Sequence, residues 1–200
     1  EAGLNENHAR ELMELHTLGV AGGYTQADVT SLAKILTGWS VDRDEKAESG
    51  SYGRFQFRKQ AHEPGVHELL GTRFAEEGRK QGEAALDLLA THPATARHIA
   101  DKLARHFVAD VPPAALVDRL AATFTETGGD LLAVSTALVE ADETWTAPAL
   151  KLRTPQEFVW ASVRALGVKP KPQDLIAALT TLGQPLFNPP SPAGYRDDLA

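Results

Sequence analysis

The sequence predicts an all-α fold: an irregular orthogonal array of about eight helices with one small inserted β-hairpin. Three observations support this fold class. Apolar residues recur at helical spacing through most of the 200 residues, which indicates amphipathic helices. Proline and glycine stand repeatedly where such helices would begin or end. One stretch, residues 54–71, instead alternates apolar and polar side chains before a Pro-Gly turn, the pattern of a hairpin.

Two helices are predicted in the first forty residues. The first covers residues 5–18, because Gly19 follows its last apolar residue and a Gly-Gly pair comes soon after. The second covers residues 25–37 and opens with a threonine and an aspartate three positions later, a capping box. Residues 40–53 are polar and aperiodic, so we expect an exposed, disordered loop there.

The hairpin and six more helices follow. In the hairpin, Phe55 and Phe57 alternate with polar residues, and the chain turns at Pro64-Gly65 before a second short apolar run. The further helices, several of which open with proline, are predicted over residues 79–90, 93–107, 113–126, 129–141, 154–166 and 172–182.

The proline-rich tail, residues 183–200, is incompatible with a helix. We expect it to lie extended across the helices, held by Leu186, Phe187 and Tyr195. Together these elements predict a single helical domain over residues 1–200.

Composition excludes several classes of protein. The net charge is −7, from 20 basic and 27 acidic residues, and the sequence has no basic stripe of the kind that nucleic-acid binding needs. Cysteine is absent, which excludes disulfides and thiol nucleophiles. No apolar run approaches the ~18 residues of a membrane span. Because the chain begins at Glu1 and its one methionine is Met13, we interpret it as a piece of a longer protein.

The densest cluster of polar side chains is the run NENHARELMELH near the start. On a regular helix, Asn7, Arg10, Glu11 and Glu14 share one face, where two carboxylates could hold a cation or share a proton. The alternative is an ion pair between Arg10 and Glu14 on a solvated face. His16 falls in the apolar arc, and we predict a hydrogen-bonded core histidine there.

A second cluster flanks the Pro-Gly turn and consists of His62, Glu63 and His67. Imidazole and carboxylate groups can ligate metals, but no third strong ligand is fixed by spacing, so neither a metal nor another cofactor is predicted. Zinc-protease, serine-hydrolase and phosphate-loop motifs are missing from the sequence. His98 and His106 are expected on the surface of their helix.

The chain resembles the bacterial domain of unknown function 1800 family in segments that occur in the same order over nearly its whole length: NENHARELMELHTLGVAGGYTQADV, LTGW, HEPG, LLG, HPATARHIADKLARHFV, KLRTPQEFV and LGQPLFNPPSPAGY. The resemblance implies the C-terminal portion of a longer protein that is exported or envelope-associated, hence periplasmic or extracellular. It implies no established activity.

The family's motif pattern covers residues in both clusters and elsewhere in the chain, namely Asn5, Asn7, Arg10, Glu11, Glu14, His16, Tyr24, Thr25, Gln26, Asp28, His62, Gly65 and His92. The chain departs from that pattern at two places. Relatives usually carry an aromatic residue at the position of His8, so we do not place His8 in a site. They also differ at Glu63 and His67, which argues against a metal there.

Two hypotheses for function remain open. The first is a helical scaffold or interaction domain of an exported or envelope-associated bacterial protein, whose partners are the N-terminal half of its own protein and a protein of the cell envelope. The second is a hydrolase-like or lyase-like enzyme acting on an envelope polymer, with a polar cleft between the first helix and the His62 turn.

The two hypotheses predict different geometry. In the enzyme, Glu11, Glu14 and His62 are the catalytic residues and converge on one open pocket, where Asn7 and Arg10 bind the substrate. In the scaffold, these same groups satisfy one another, while an apolar patch of several hundred Å² stays exposed.

Overall fold

The structure is a computed structural model that describes residues 4–43, 52–146, 151 and 153–195. Its mostly α-helical class is as predicted, with nine α-helices and two small antiparallel sheets in these residues. The helices are α1 Glu6–Glu11, α2 Gln26–Ile35, α3 Arg79–Thr91, α4 Pro93–Phe107, α5 Ala114–Glu126, α6 Leu131–Glu140, α7 Asp142–Thr146, α8 Pro155–Leu166 and α9 Pro172–Thr181. The strands are β1 Trp39–Val41, β2 Phe55–Phe57, β3 His67–Leu69 and β4 Thr72–Phe74. None of these helices is long and apolar enough to cross a membrane.

Helix starts follow from local chemistry. Thr25 accepts from the backbone N–H of Asp28, and the Asp28 carboxylate accepts in return from the backbone N–H of Thr25 at 2.8 Å. The same reciprocal capping box links Thr154 and Glu157 at the start of α8. Each box satisfies N–H groups that have no partner within the helix, so the predicted starts are confirmed.

The opening helix is not regular. Its α-helical part ends at Glu11, and Leu12–His16 form a π-helix, in which each turn holds one more residue. The Thr17 hydroxyl supports this turn by donating to the Leu12 carbonyl oxygen at 2.9 Å. The prediction of one regular helix over residues 5–18 is therefore wrong beyond Glu11, and side-chain directions read from a regular wheel do not hold there.

Strand β2 occurs where the sequence predicts it, but its predicted partner is wrong. It pairs antiparallel with β1, which places Trp39 opposite Phe57 and Val41 opposite Phe55. The start of the predicted loop at residues 40–53 is therefore strand. Residues 44–51 of that loop lie outside the described residues.

Strands β3 and β4 form a separate hairpin that turns at Leu70-Gly71, not at Pro64-Gly65. Both turn residues have positive φ, 51° at Leu70 and 75° at Gly71. Turns of this kind match the right-handed twist of the flanking strands, so they favour two-residue hairpins. The predicted hairpin over residues 54–71 does not form as one unit, because β2 pairs with β1 and β3 pairs with β4.

Buried apolar side chains form two clusters. One lies between the opening helix, α2, α3 and the β3–β4 hairpin, and its fully buried members include Met13, Leu32 and Leu89. The other lies between α4, α5 and α6 and includes Leu116 and Leu120. Helices α8 and α9 belong to neither cluster. The prediction of a single domain over the whole chain stays a prediction.

The tail is not held as predicted. Leu186 and Phe187 are exposed, Phe187 to 92%, so they do not pack on the helices. Tyr195 instead closes the tail on itself, because its hydroxyl donates to the Pro185 carbonyl and accepts the N–H of Asn188 at 2.8 Å. Residues 183–195 contain turns and no helix, and residues 196–200 lie outside the described part.

Candidate functional site

The polar face of the opening helix is bonded to α2. Arg10 donates to the Gln26 side-chain oxygen, and the Gln26 amide donates to Glu6 at 2.9 Å. The other Glu6 carboxylate oxygen accepts the Thr30 hydroxyl at 3.0 Å. The predicted ion pair between Arg10 and Glu14 is therefore wrong, because the partner of Arg10 lies on α2.

Glu14 has a separate partner. It accepts the Tyr24 hydroxyl at 3.0 Å, and burial, together with this hydrogen bond, raises the pKa of Tyr24 above its ordinary value. Within the described part of the chain, Asn7 and Glu11 make no side-chain hydrogen bond or ion pair. The predicted polar stripe is thus divided between different partners, because the π-helix redirects Glu14.

His62 is buried, with 4% of its side chain exposed. Its Nδ1–H donates to the Thr37 carbonyl oxygen at 2.9 Å, and Nε2 lies 3.4 Å from Glu76 Oε1 without hydrogen-bond geometry. Phe57 packs against the imidazole edge-on at 5.4 Å. Glu76 also accepts the N–H of Gly65 at 2.7 Å, which holds its pKa below the ordinary value. His62 therefore fixes its turn to the end of α2.

Glu14 and His62 do not share a hydrogen bond or ion pair, since Glu14 binds Tyr24 and His62 binds Thr37. Nor does any group of three His, Asp or Glu side chains among the described residues have the arrangement of a metal site. The catalytic roles assigned to Glu11, Glu14 and His62, and the binding roles of Asn7 and Arg10, stay predictions. Among these residues, the hydrogen bonds of Arg10, Glu14 and His62 connect them to Gln26, Tyr24 and Thr37.

Two other histidines exchange their predicted roles. His16 is exposed, so the prediction of a core histidine is wrong. His98, predicted on the surface, is partly buried, and its Nε2–H donates to the Leu15 carbonyl oxygen at 3.2 Å. The π-helix explains both, because it turns His16 toward solvent and leaves a main-chain carbonyl for His98.

A cleft lies between the opening helix and the turn before His62. Its volume is about 530 Å³, and its lining includes Asn5, His8, Trp39, Ser40 and Arg58. We call it the Trp39 cleft. His8 lines this cleft, whereas Asn7, Arg10, Glu11, Glu14 and His62 do not.

A second cleft, of about 740 Å³, lies at the start of α2 and is lined mainly by polar side chains and glycines: Gly22, Gly23, Thr25, Asp28, Glu68, Gly71 and His92. Burial works to raise the pKa of Asp28. Hydrogen bonds from Thr25 and from the Leu70 N–H, at 2.7 Å, outweigh it and hold this pKa below its ordinary value. Asp28 therefore ties α2 to the β3–β4 turn as an ionised carboxylate.

The third depression is the α8–α9 groove, of about 430 Å³, lined by apolar side chains that include Phe158, Val163, Leu166, Val168, Leu175 and Leu182. Phe158 and Leu182 also line an adjoining depression of about 460 Å³, which Lys151 and Arg153 border. The groove therefore connects, through Phe158 and Leu182, to a depression bordered by two basic residues.

Lys151 and Arg153 also line a further depression of about 550 Å³, which we call the basic end. Its other polar lining residues are His106, Glu157 and Arg164, and its aromatic ones are Phe107 and Trp160. Lys151 binds Asp110 at 2.8 Å. Glu157 serves the α8 cap, and the backbone N–H of Thr154 holds its pKa below the ordinary value. Phe107 is exposed.

Comparison with known proteins identifies a family. The sequence profile described as "Protein of unknown function (DUF1800)" matches residues 1–199. No curated protein and no solved structure matches the chain. The match covers almost the whole sequence and agrees with the resemblance in its motifs. The chain belongs to the DUF1800 family of proteins of unknown function.

Proposed function

We propose that this chain is a helical interaction domain and that its α8–α9 groove binds an amphipathic helix with acidic residues on a second protein. The observation that supports this proposal is an exposed apolar groove with basic side chains at one end, on a chain whose net charge is −7.

The apolar surface of α8 and α9 is larger than the two helices cover for each other. Each contributes one buried apolar residue, Val159 from α8 and Leu179 from α9. Leu166 is 73% exposed, and Phe158 and Ile176 are also exposed. A helix must bury its apolar stripe against another element, and large exposed apolar patches mark interaction sites. A third helix laid in the groove would complete the packing.

Charge favours an acidic partner. Residues 151–195 contain five basic and two acidic side chains, whereas the whole chain contains 20 basic and 27 acidic ones. Arg153 and Arg164 line the basic end. Complementary charge at the rim of an interface steers association and fixes orientation. Acidic residues at one end of the partner helix would lie beside these arginines while its apolar face fills the groove.

The length of α8 sets the length of the partner segment. Its 12 residues extend roughly 18 Å at 1.5 Å per residue, so a helix of about 12 residues covers the groove. We further propose that the partner is an envelope protein, a location supported by the family resemblance alone.

The test is a fluorescence-anisotropy titration with three labelled peptides of equal length and apolar content. The first is an acidic amphipathic helix, the second carries lysine in place of each glutamate, and the third has the composition of the first in scrambled order. We expect the first to bind with a Kd on the order of micromolar, and the other two at least about tenfold more weakly.

Substitutions in and outside the α8–α9 groove test whether the peptide binds there. Leu166→Ser and Arg164→Gln should each weaken the acidic peptide about tenfold. Leu132→Ser is the matched control, because Leu132 is 77% exposed on α6 and does not line the groove. Equal binding of all three peptides, or equal losses in the Leu166 and Leu132 variants, would contradict the proposal.

A further inference from the structure

We infer that the Trp39 cleft binds a small anionic saccharide, of the kind that carries a carboxylate on a hydroxylated ring. This site is separate from the α8–α9 groove, and the inference does not depend on the proposed function.

The cleft is basic. Its described lining includes His8 and Arg58 and no aspartate or glutamate, in a chain with 27 acidic residues. Arg58 donates from Nε to the Gln56 side-chain oxygen at 3.2 Å. Its two Nη atoms make no hydrogen bond within the described part of the chain. A guanidinium in this state can bind a carboxylate through two parallel hydrogen bonds.

Trp39 gives the cleft an aromatic surface that is held in place. Phe55 packs against its indole edge-on at 5.0 Å, and Gly82 lies so close that a Cβ there would approach the indole to 2.6 Å. An immobilised indole offers an apolar face at little conformational cost on binding. Aromatic surface beside a few polar groups is typical of small-molecule sites, whose volumes run about 300–1,000 Å³.

Neutral hydrogen-bonding groups complete the lining. Asn5 uses its side-chain oxygen to accept the His8 N–H at 3.0 Å, which leaves its amide N–H groups as donors. The Ser40 hydroxyl donates to the Val41 carbonyl at 3.3 Å and can still accept. These groups fit ring hydroxyls, while Arg58 fits the carboxylate. A uronic acid combines both features, and a simple inorganic anion does not.

The test follows the three tryptophan indole N–H signals by NMR while glucuronic acid is added at constant pH. Trp145→Phe and Trp160→Phe variants assign the Trp39 signal by elimination. We expect this signal to move in a saturable way with glucuronic acid. Glucose should move it at least about tenfold less at equal concentration, because it lacks the carboxylate that Arg58 binds.

Arg58→Gln should weaken glucuronic acid about tenfold or more. Arg54→Gln, with the same loss of charge at the other end of β2 but outside the cleft lining, should bind as the unaltered chain does. An unmoved Trp39 signal, equal responses to glucose or to inorganic phosphate, or equal losses in the two arginine variants would overturn the inference.

Discussion

The region of α1–α3 with the β3–β4 hairpin and the pair α8–α9 differ in how they use their side chains. In the first, polar groups bond between elements, as Arg10 does with Gln26, and apolar residues such as Leu89 are fully buried. In the second, each helix buries one apolar residue, and Leu166 is 73% exposed. The first region buries its apolar residues among its own elements, whereas the second leaves apolar surface exposed.

This difference changes which polar residues suggest function. The opening run NENHARELMELH has the highest density of polar residues, yet Glu6, Arg10 and Glu14 hold α1 to α2 and to Tyr24. The α8–α9 groove has few polar side chains and no catalytic motif. Since exposed apolar surface has to be explained by a partner, the less polar region carries the proposed interaction.

The largest expected effect compares one leucine from each region. Leu89→Ala should lower the free energy of unfolding by about 2–5 kcal/mol, because Leu89 is fully buried and the change leaves a cavity. Leu166→Ala should change it by less than about 0.5 kcal/mol, because Leu166 is mainly in water. Urea denaturation followed by circular dichroism measures both. Similar losses in the two variants would mean that α8–α9 is packed as fully as the first region.

Gly82→Ala should lower the free energy of unfolding by about 1–3 kcal/mol. Alanine favours a helix over glycine by about 1 kcal/mol, but its Cβ would lie 2.6 Å from the Trp39 indole. Steric conflict therefore outweighs the gain in helix propensity. Thermal denaturation measures the result.

The control for this variant is a double-mutant cycle with Trp39→Phe. The smaller ring leaves space, so Gly82→Ala should cost less in the Trp39→Phe background than in the unaltered chain. An equal cost in both backgrounds would show that the indole is not the cause.

Asp28→Asn should lower the free energy of unfolding by about 1–2 kcal/mol at neutral pH. The carboxylate accepts from Thr25 and Leu70 through both oxygens, and the amide nitrogen of asparagine cannot accept. Because the folded-state pKa of Asp28 is lowered, its stabilisation is present above the unfolded carboxyl pKa of about 3.9 and is lost as the pH falls through the lower folded pKa.

The difference in the free energy of unfolding between the unaltered chain and Asp28→Asn should therefore decrease below about pH 4, as urea denaturation at several pH values would show. Asp87→Asn is the control, since Asp87 is exposed on α3 and its replacement should change the free energy of unfolding by less than about 0.5 kcal/mol at neutral pH. If Asp28→Asn lowers the free energy of unfolding by the same amount down to pH 2, Asp28 does not stabilise the fold as an ionised carboxylate.

Much of the helical framework could be predicted from the sequence, because its signals are local. Thr25 with Asp28, and Thr154 with Glu157, are capping boxes that depend on four consecutive residues. Pro93 begins α4 at the position where a missing N–H costs nothing.

The predictions from sequence are wrong where contacts between distant residues, or an irregular backbone, determine the structure. The residues of Leu12–His16 carry no local signal for a π-helix, which alters the direction of Glu14 and His16. The partner of β2 is β1, across a long loop, and such pairing depends on the packing of Trp39 against Gly82.

The candidate sites were harder to predict than the fold. The Trp39 cleft brings His8 together with Arg58, fifty positions later, and nothing local relates them. The apolar face of α8 that lines the α8–α9 groove could be predicted from the helical spacing of Val159, Val163 and Leu166, but amphipathic helices of this kind usually face a core.

The most direct test of the account is amide hydrogen exchange on the chain with and without the acidic amphipathic peptide. We expect α8 and α9 to exchange faster than α2 and α3 in the free chain, since they bury less apolar surface. Saturating peptide should then slow exchange in α8 and α9 and leave α2 and α3 unchanged. Equal protection of both regions in the free chain, or slowing confined to α2 and α3, would contradict it.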